Sequence, residues 1–215
     1  MDRDAAIDIL RAHEPELQRL GVRHAAVFGS VARGENHAGS DLDVMIEIDE
    51  AAVRDVFDYV GVIHFIGDLF PISGMCPIAK CSRRMSSLKQ NERPSMLSRR
   101  GREACLGIRE NVEAAFDFIG GMDAAKFEQD RRTIYAVTRC LEIISEVSRR
   151  VDTATKDRHP HIPWQQVSSA GNIYRHEYAN VLPLQIWRTV QERLPELLAM
   201  CVAELQRADA PGTSG

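Results

Sequence analysis

The residues best placed by type and spacing to do chemistry are Gly29-Ser30 and, after ten intervening residues, Asp41-Leu42-Asp43. An apolar run, Ala25 to Phe28, enters the Gly-Ser turn, which continues through Val31-Ala32-Arg33-Gly34; a polar loop ending at Ser40 precedes the acidic pair. Side chains alternate along a strand, so Leu42, Val44, Ile46 and Ile48 fall on one face and Asp41, Asp43 and Glu47 on the other. Two carboxylates on one face, two residues apart, suit a hard divalent cation such as Mg²⁺, which prefers oxygen ligands. The glycine lets backbone approach a phosphate, and amides at a helix start would offer it donors. Each piece alone is bland, since a lone Gly-Ser is usually a turn and a lone Asp-x-Asp a solvated strand face. Their conjunction describes a site for a metal–nucleoside triphosphate.

The elements that must hold these residues are legible around them. Residues 3–20 carry Ile7, Leu10, Leu17 and Leu20 near helical spacing, with Pro15 as an interruption and Gly21 just past the end. The strand–turn–strand follows, and residues 50–70 place Val53, Val56, Phe57, Val60, Ile63 and Ile66 on overlapping helical faces. This α-β-α-β-α order predicts a small domain of mixed helix and strand. Over 71–103 no helical or strand period emerges. From 107 onward the chain reads as helical, with Ile134, Val137, Leu141, Ile144 and Val151 as a buried stripe. Ile162-Pro163-Trp164 opens another segment, with proline near its first turn. Leu184, Trp187, Val190, Leu194, Leu197, Leu198, Cys201, Val202 and Leu205 form a last apolar face, which Pro195 should kink or split.

Composition bounds the class. At 215 residues the chain has room for one domain or two small ones, and 44% hydrophobic with 27% charged residues is ordinary for a globular protein. A net charge of −4 argues against a nonspecific coat for nucleic acid and leaves room for a small basic patch; no specific DNA partner is expected. No apolar run nears the roughly 18–20 residues of a membrane span. Met1-Asp2-Arg3-Asp4 is unlike a signal peptide, so a cytoplasmic chain without a membrane partner is expected. The five cysteines, at 76, 81, 105, 140 and 201, form no matched Cys-x2-Cys pairs and read as reduced thiols. His159-Pro160-His161, with proline between the two and no carboxylate partner, reads as a loop rather than a metal pair, and His13, His24, His37 and His64 take no assigned role.

The pattern Gly-Ser-x10-Asp-x-Asp between strands resembles the minimal nucleotidyltransferase (MNT) group of the DNA polymerase β-like superfamily, over residues 1–70. The resemblance implies an α+β N-terminal domain, a mixed sheet with flanking helices, with residue 95 as its furthest extent. It implies that Gly29, Ser30 and Arg33 bind nucleotide, that Asp41 and Asp43 are catalytic and hold two Mg²⁺ ions, and that ATP is the substrate. Such a domain should add a strand bearing a third carboxylate, yet Pro71 to Gln90 contains no Asp or Glu and Asp68 comes too early. The sheet would then be incomplete. The stretch 71–103 reads either as a linker or as the product of a changed reading frame near Phe70, with Met96 the former start of a separate downstream protein.

A second constellation, Gly171-Asn172-Ile173-Tyr174-Arg175-His176-Glu177-Tyr178, resembles the HEPN superfamily, specifically the short bundles encoded beside MNT proteins. Tyr135-Ala136-Val137, Cys140 to Glu146, Ile162-Pro163-Trp164 and Ile186-Trp187 extend the likeness over residues 104–207. It implies an all-α antiparallel helical bundle, with 208–215 left as a flexible tail. HEPN ribonucleases carry Arg-x4-6-His, and those paired with MNT proteins continue to His-x-Tyr, as His176-Glu177-Tyr178 does. Where the family commonly has arginine stands Gly171, one helical turn before Arg175 on the same face. The chemistry asks for a histidine acid or base and a cation to meet phosphate charge, which makes Arg175 and His176 the candidate catalytic residues toward RNA, without a metal. Such domains pair so that two motifs share a cleft, implying a homodimer through the bundle or a cognate HEPN or MNT protein as partner.

Taken together, the two resemblances imply a toxin–antitoxin module in one polypeptide. The first half would transfer AMP from ATP to Tyr178 of the second and so block RNA cleavage. Two readings from other classes stay open. In one, the nucleotidyltransferase-like half is catalytically dead and acts as a structural or inhibitory partner. In the other, it modifies a small molecule and the helical half binds that substrate.

Overall fold

The computed structural model describes residues 3–34, 42–70, 97–176 and 181–209, and the chain divides into two compact units, Met1–Arg83 and Arg84–Gly215. The segment 71–96, with both of its readings, lies outside the described residues, as do Asp41, Glu177 and Tyr178.

In the first unit the N-terminal helical stretch is two helices, α1 (Arg3–Ala12) and α2 (Glu14–Arg19). Pro15, in the first turn of α2, has no N–H with which to continue the ladder of α1, and the chain breaks at His13. Ala6, Leu10 and Leu17 are buried. Gly21, at φ +86°, turns the chain into β1 (Val22–Phe28). A short helix, α3 (Gly29–Arg33), follows, then β2 (Asp43–Ile48) and α4 (Val56–Leu69). β1 and β2 pair antiparallel, with Ala25 opposite Ile46, Val27 opposite Val44 and Phe28 opposite Asp43. These two strands are the sheet among the described residues, and the parallel strand that a mixed sheet needs is not among them.

The helix read from residue 50 begins at Val56. Before it, Asp49 holds a turn by accepting from the Ala51 N–H at 3.0 Å, and its carbonyl accepts from the Val53 N–H at 2.8 Å. Asp55 then caps α4, its carboxylate accepting from the N–H groups of Phe57 (2.8 Å) and Asp58 (3.0 Å). Val53, Val56, Phe57, Val60 and Ile66 are buried, each such side chain worth about 1.5–3 kcal/mol of transfer free energy.

The second unit is helical throughout: α5 (Arg99–Ile119), α6 (Ala124–Gln129), α7 (Arg131–Ser148), α8 (Thr153–Arg158), α9 (Trp164–His176), α10 (Pro183–Arg188) and α11 (Leu194–Asp209). α5 packs on both α7 and α11, and α7 packs on α9. α5 starts at Arg99 rather than at 107, inside the stretch read as lacking a period, because Ser98 caps it through the Gly101 N–H at 2.9 Å. Asp123, Asp130 and Asp152 cap α6, α7 and α8 in the same way. Val137, Leu141, Ile144 and Val151 are buried as the stripe required, with Ile134 half-buried. Pro195 is accommodated by a π-helical turn over Thr189–Arg193, in which the Leu194 N–H donates five residues back to the Thr189 carbonyl. On α11 the expected apolar face holds at Leu194, Leu197, Cys201 and Leu205, whereas Leu198 is half-buried and Val202 exposed. α11 runs to Asp209, which pairs with Arg102 at 2.6 Å, so residues 208 and 209 belong to the helix; the rest of the expected tail lies outside the described residues. Cys105, Cys140 and Cys201 are buried free thiols. No helix among the described residues is long and apolar enough to cross a membrane.

Candidate functional site

β1 delivers the chain into Gly29 at φ +73°, a left-handed conformation that residues with a side chain rarely adopt. A Cβ at this position would overlap the Asp43 carboxylate, Oδ2 being the nearest atom. Asp43 reaches that place because it sits opposite Phe28, the residue before the turn. Glycine is therefore required twice, by the backbone angle and by the carboxylate lying over it. Ser30 is half-buried and Arg33 exposed, and Gly34, at φ +72°, closes α3 by donating its N–H to the Val31 carbonyl at 3.2 Å. Along β2, Asp43, Met45 and Glu47 alternate outward while Val44, Ile46 and Ile48 are half-buried, as the period of two predicts.

Sequence reading missed the apolar flank of this site. Phe28 is 58% exposed and Met45 62% exposed, on either side of Asp43. An exposed phenylalanine directly before a Gly-Ser turn was the available signal.

Asp43 offers a hard carboxylate oxygen beside the turn, a donor that fits Mg²⁺. Its intended partner Asp41 lies outside the described residues, and among the described residues no group of three or more His, Cys, Asp or Glu could hold a metal. A separate cleft of about 540 Å³ follows Val22–Val27 beneath α1 and α2, lined by Leu10, Arg11 and Leu17. Neither Gly29 nor Asp43 borders it.

In the second unit Gly171 lies buried in α9 against α7. Its N–H donates to Ser145 Oγ at 2.8 Å, and that hydroxyl donates to the Ser168 carbonyl at 3.0 Å. A Cβ on residue 171 would come within 2.9 Å of Ser145 Oγ and 3.1 Å of Ser145 Cβ, so this packing has no room for a longer side chain there. Gly171→Arg is expected to lower the thermal unfolding midpoint through an overpacking cost of about 1–3 kcal/mol. An unchanged midpoint in a melting experiment would show that α7 and α9 separate easily.

Arg175 turns back along its own helix, donating from Nε to the Gly171 carbonyl at 3.0 Å and from Nη2 to Asn172 Oδ1 at 3.1 Å. Nη2 stands 3.6 Å from where a Cβ of residue 171 would be, so the guanidinium lies over the step left open by glycine. α9 ends at His176, and Tyr178 lies outside the described residues.

A third cluster was not legible. Glu204 on α11 is 2% exposed. Arg158 donates to it from Nε at 3.0 Å and from Nη2 to the other carboxylate oxygen, and His159 Nε2 lies 2.9 Å from Oε1. His159-Pro160-His161 is a loop, as read, but His159 does have a carboxylate partner, 45 residues away, which corrects the expectation that it has none. The hydrogen bond from Arg158 holds the Glu204 carboxyl below the usual carboxylate range. Held by the Arg158 guanidinium and in contact with the His159 ring, Glu204 braces α8 to α11.

Comparison with known proteins assigns both halves. A model described as Nucleotidyltransferase domain matches residues 10–115, and one described as Ribonuclease HepT-like matches residues 108–203. A protein of Thermococcus cleftensis named Probable ribonuclease HepT is 34% identical over 90 residues, which are 42% of this chain and 82% of that protein. The chain belongs to the ribonuclease HepT-like family. Its HepT-like half is preceded by a nucleotidyltransferase domain in the same polypeptide. That domain is similar to a second protein of the same organism, Protein adenylyltransferase MntA, at 49% identity over 43 residues, covering 20% of this chain and 43% of MntA. Less than half of MntA is thus spanned. No solved structure matches the chain.

Proposed function

We propose that the nucleotidyltransferase domain transfers AMP from ATP to Tyr178 of the HepT-like half, and that this suppresses RNA cleavage centred on His176. The observation that carries the reading is the Gly29 turn, closed by its φ of +73° and by the Asp43 carboxylate against it. A triphosphate seated on the backbone of that turn would lie beside a metal-binding carboxylate. The two named relatives supply the two activities as separate proteins, an adenylyltransferase and a ribonuclease.

In the transfer the Tyr178 hydroxyl oxygen forms a bond to the α-phosphorus, the bond from that phosphorus to the bridging oxygen breaks, and pyrophosphate leaves. The phenolic proton passes to solvent. Gly29 and Ser30 hold the phosphates through backbone approach, and Arg33 supplies a cation at the end of α3. Asp41 and Asp43 would hold the Mg²⁺ ions, which supply charge neutralisation at the triphosphate. Phe28 and Met45 offer apolar surface against which an aromatic ring, base or tyrosine, can lie.

On the HepT-like half, His176 serves as acid or base and Arg175 as the cation facing phosphate. An adenylate two residues from His176 places negative charge where an RNA phosphate must sit. A homodimer through the bundle would bring two such motifs together.

Asp41→Asn combined with Asp43→Asn is expected to abolish Mg²⁺/ATP-dependent labelling of the chain while leaving its fold intact. Labelling at the unsubstituted rate would remove the assignment. The absence of any Asp or Glu between Pro71 and Gln90 favours a second reading, in which the domain is a non-catalytic partner of the helical half. Titration with Mg²⁺ and ATP separates the two, since the second predicts no nucleotide binding.

A further inference from the structure

We propose that Tyr135 is a second AMP acceptor, with Arg131 meeting the phosphate it receives; the inference rests on the reading that the nucleotidyltransferase domain adenylates tyrosine. The chain has four tyrosines, at 59, 135, 174 and 178. Tyr59 is 5% and Tyr174 4% exposed, so neither presents its ring to an outside active site. Tyr135, on α7, is 61% exposed.

One helical turn before it, Arg131 donates from Nη2 to the Tyr135 hydroxyl at 2.9 Å, with its guanidinium carbon 5.7 Å from the ring centroid. The hydroxyl is thereby held at a fixed place with a cation on it. Arg139, one turn after, is exposed on the same face and pairs with Glu142 at 2.7 Å. The tyrosine oxygen thus sits beside the Arg131 guanidinium, a donor suited to a nucleotide phosphate.

The step balances with ATP as the co-reactant. The Tyr135 hydroxyl oxygen bonds to the α-phosphorus, the phosphoanhydride bond to the β-phosphate breaks, pyrophosphate takes the electron pair, and the phenolic proton goes to solvent. Arg131 is already within hydrogen-bond reach of the oxygen through which the new phosphodiester is attached. It stabilises the added negative charge.

Trypsin places the four tyrosines on four different peptides, and Thr133–Arg139 carries Tyr135 alone. The full chain is incubated with ATP and Mg²⁺, digested, and mapped by mass spectrometry. Adenylate is expected on Thr133–Arg139 in the unsubstituted chain and in Tyr178→Phe, and is lost from that peptide in Tyr135→Phe. Arg131→Ala should reduce labelling of that peptide by about tenfold, with Arg131→Lys retaining more, and leave labelling elsewhere unchanged. Adenylate on other peptides but never on Thr133–Arg139 overturns Tyr135 and leaves the transferase reading standing. No adenylate on any peptide overturns both.

Discussion

Gly29→Ala is expected to reduce AMP transfer by at least about a hundredfold, because a displacement near one ångström in a reacting site has that effect. Two costs combine at this position. The left-handed backbone at φ +73° costs a residue with a Cβ about 1–2 kcal/mol. The Cβ also overlaps the Asp43 carboxylate, which must then swing away from the turn or force the turn open. Either response parts the proposed metal ligand from the phosphate cradle. Gly34 is the matched comparison, since its φ is +72° but nothing lies within 4 Å of a Cβ built there. Gly34→Ala should therefore show the backbone cost in its melting temperature and retain most of the transfer rate. Equal transfer rates for the two variants, measured as labelled AMP incorporated over time, would refute the steric role given to Gly29.

Arg158→Ala is expected to destabilise the helical half by about 3–5 kcal/mol, the usual consequence of leaving one partner of a buried ion pair uncompensated. Glu204, at 2% exposure, would lose its guanidinium partner and keep the His159 contact. Replacing Glu204 as well, as in Arg158→Ala with Glu204→Leu, removes that charge and should recover much of the loss. Urea unfolding of the three proteins provides the comparison, and additive losses in the double variant would contradict the pairing. The same pair carries a pH dependence. Since Arg158 lowers the folded Glu204 carboxyl below its ordinary value of 4.5, the stabilisation is fully present above that value. It is lost as pH falls below 4.5 and through the lowered folded value, and Arg158→Ala should flatten that acid limb.

Legibility in the sequence followed the range of the interactions. The Gly-Ser turn, the outward carboxylates of β2 and the buried stripe of α7 are set by neighbours a few residues apart, and periods of two and of a helical turn expose them. The break at Pro15 and the π turn before Pro195 follow from one missing N–H each, although the π form itself was not foreseen. The start of α5 was hidden because its cap is one serine amid an uninformative stretch. Glu204 could not be recognised at all. Its partners are on another helix, and from sequence a glutamate on an amphipathic helix reads as solvated. Gly171 was visible as a departure from the HEPN pattern, whereas its contact with Ser145 required the packing of α7 on α9.

In the proposed function, this chain's own nucleotidyltransferase domain places AMP on its HepT-like half. Intact mass of the full chain after incubation with Mg²⁺ and ATP, beside a sample given the α,β-methylene analogue that cannot release pyrophosphate, tests it most directly. A gain of one or a few adenylate units is expected with ATP and none with the analogue. An unshifted mass with ATP, from a folded chain, would contradict it.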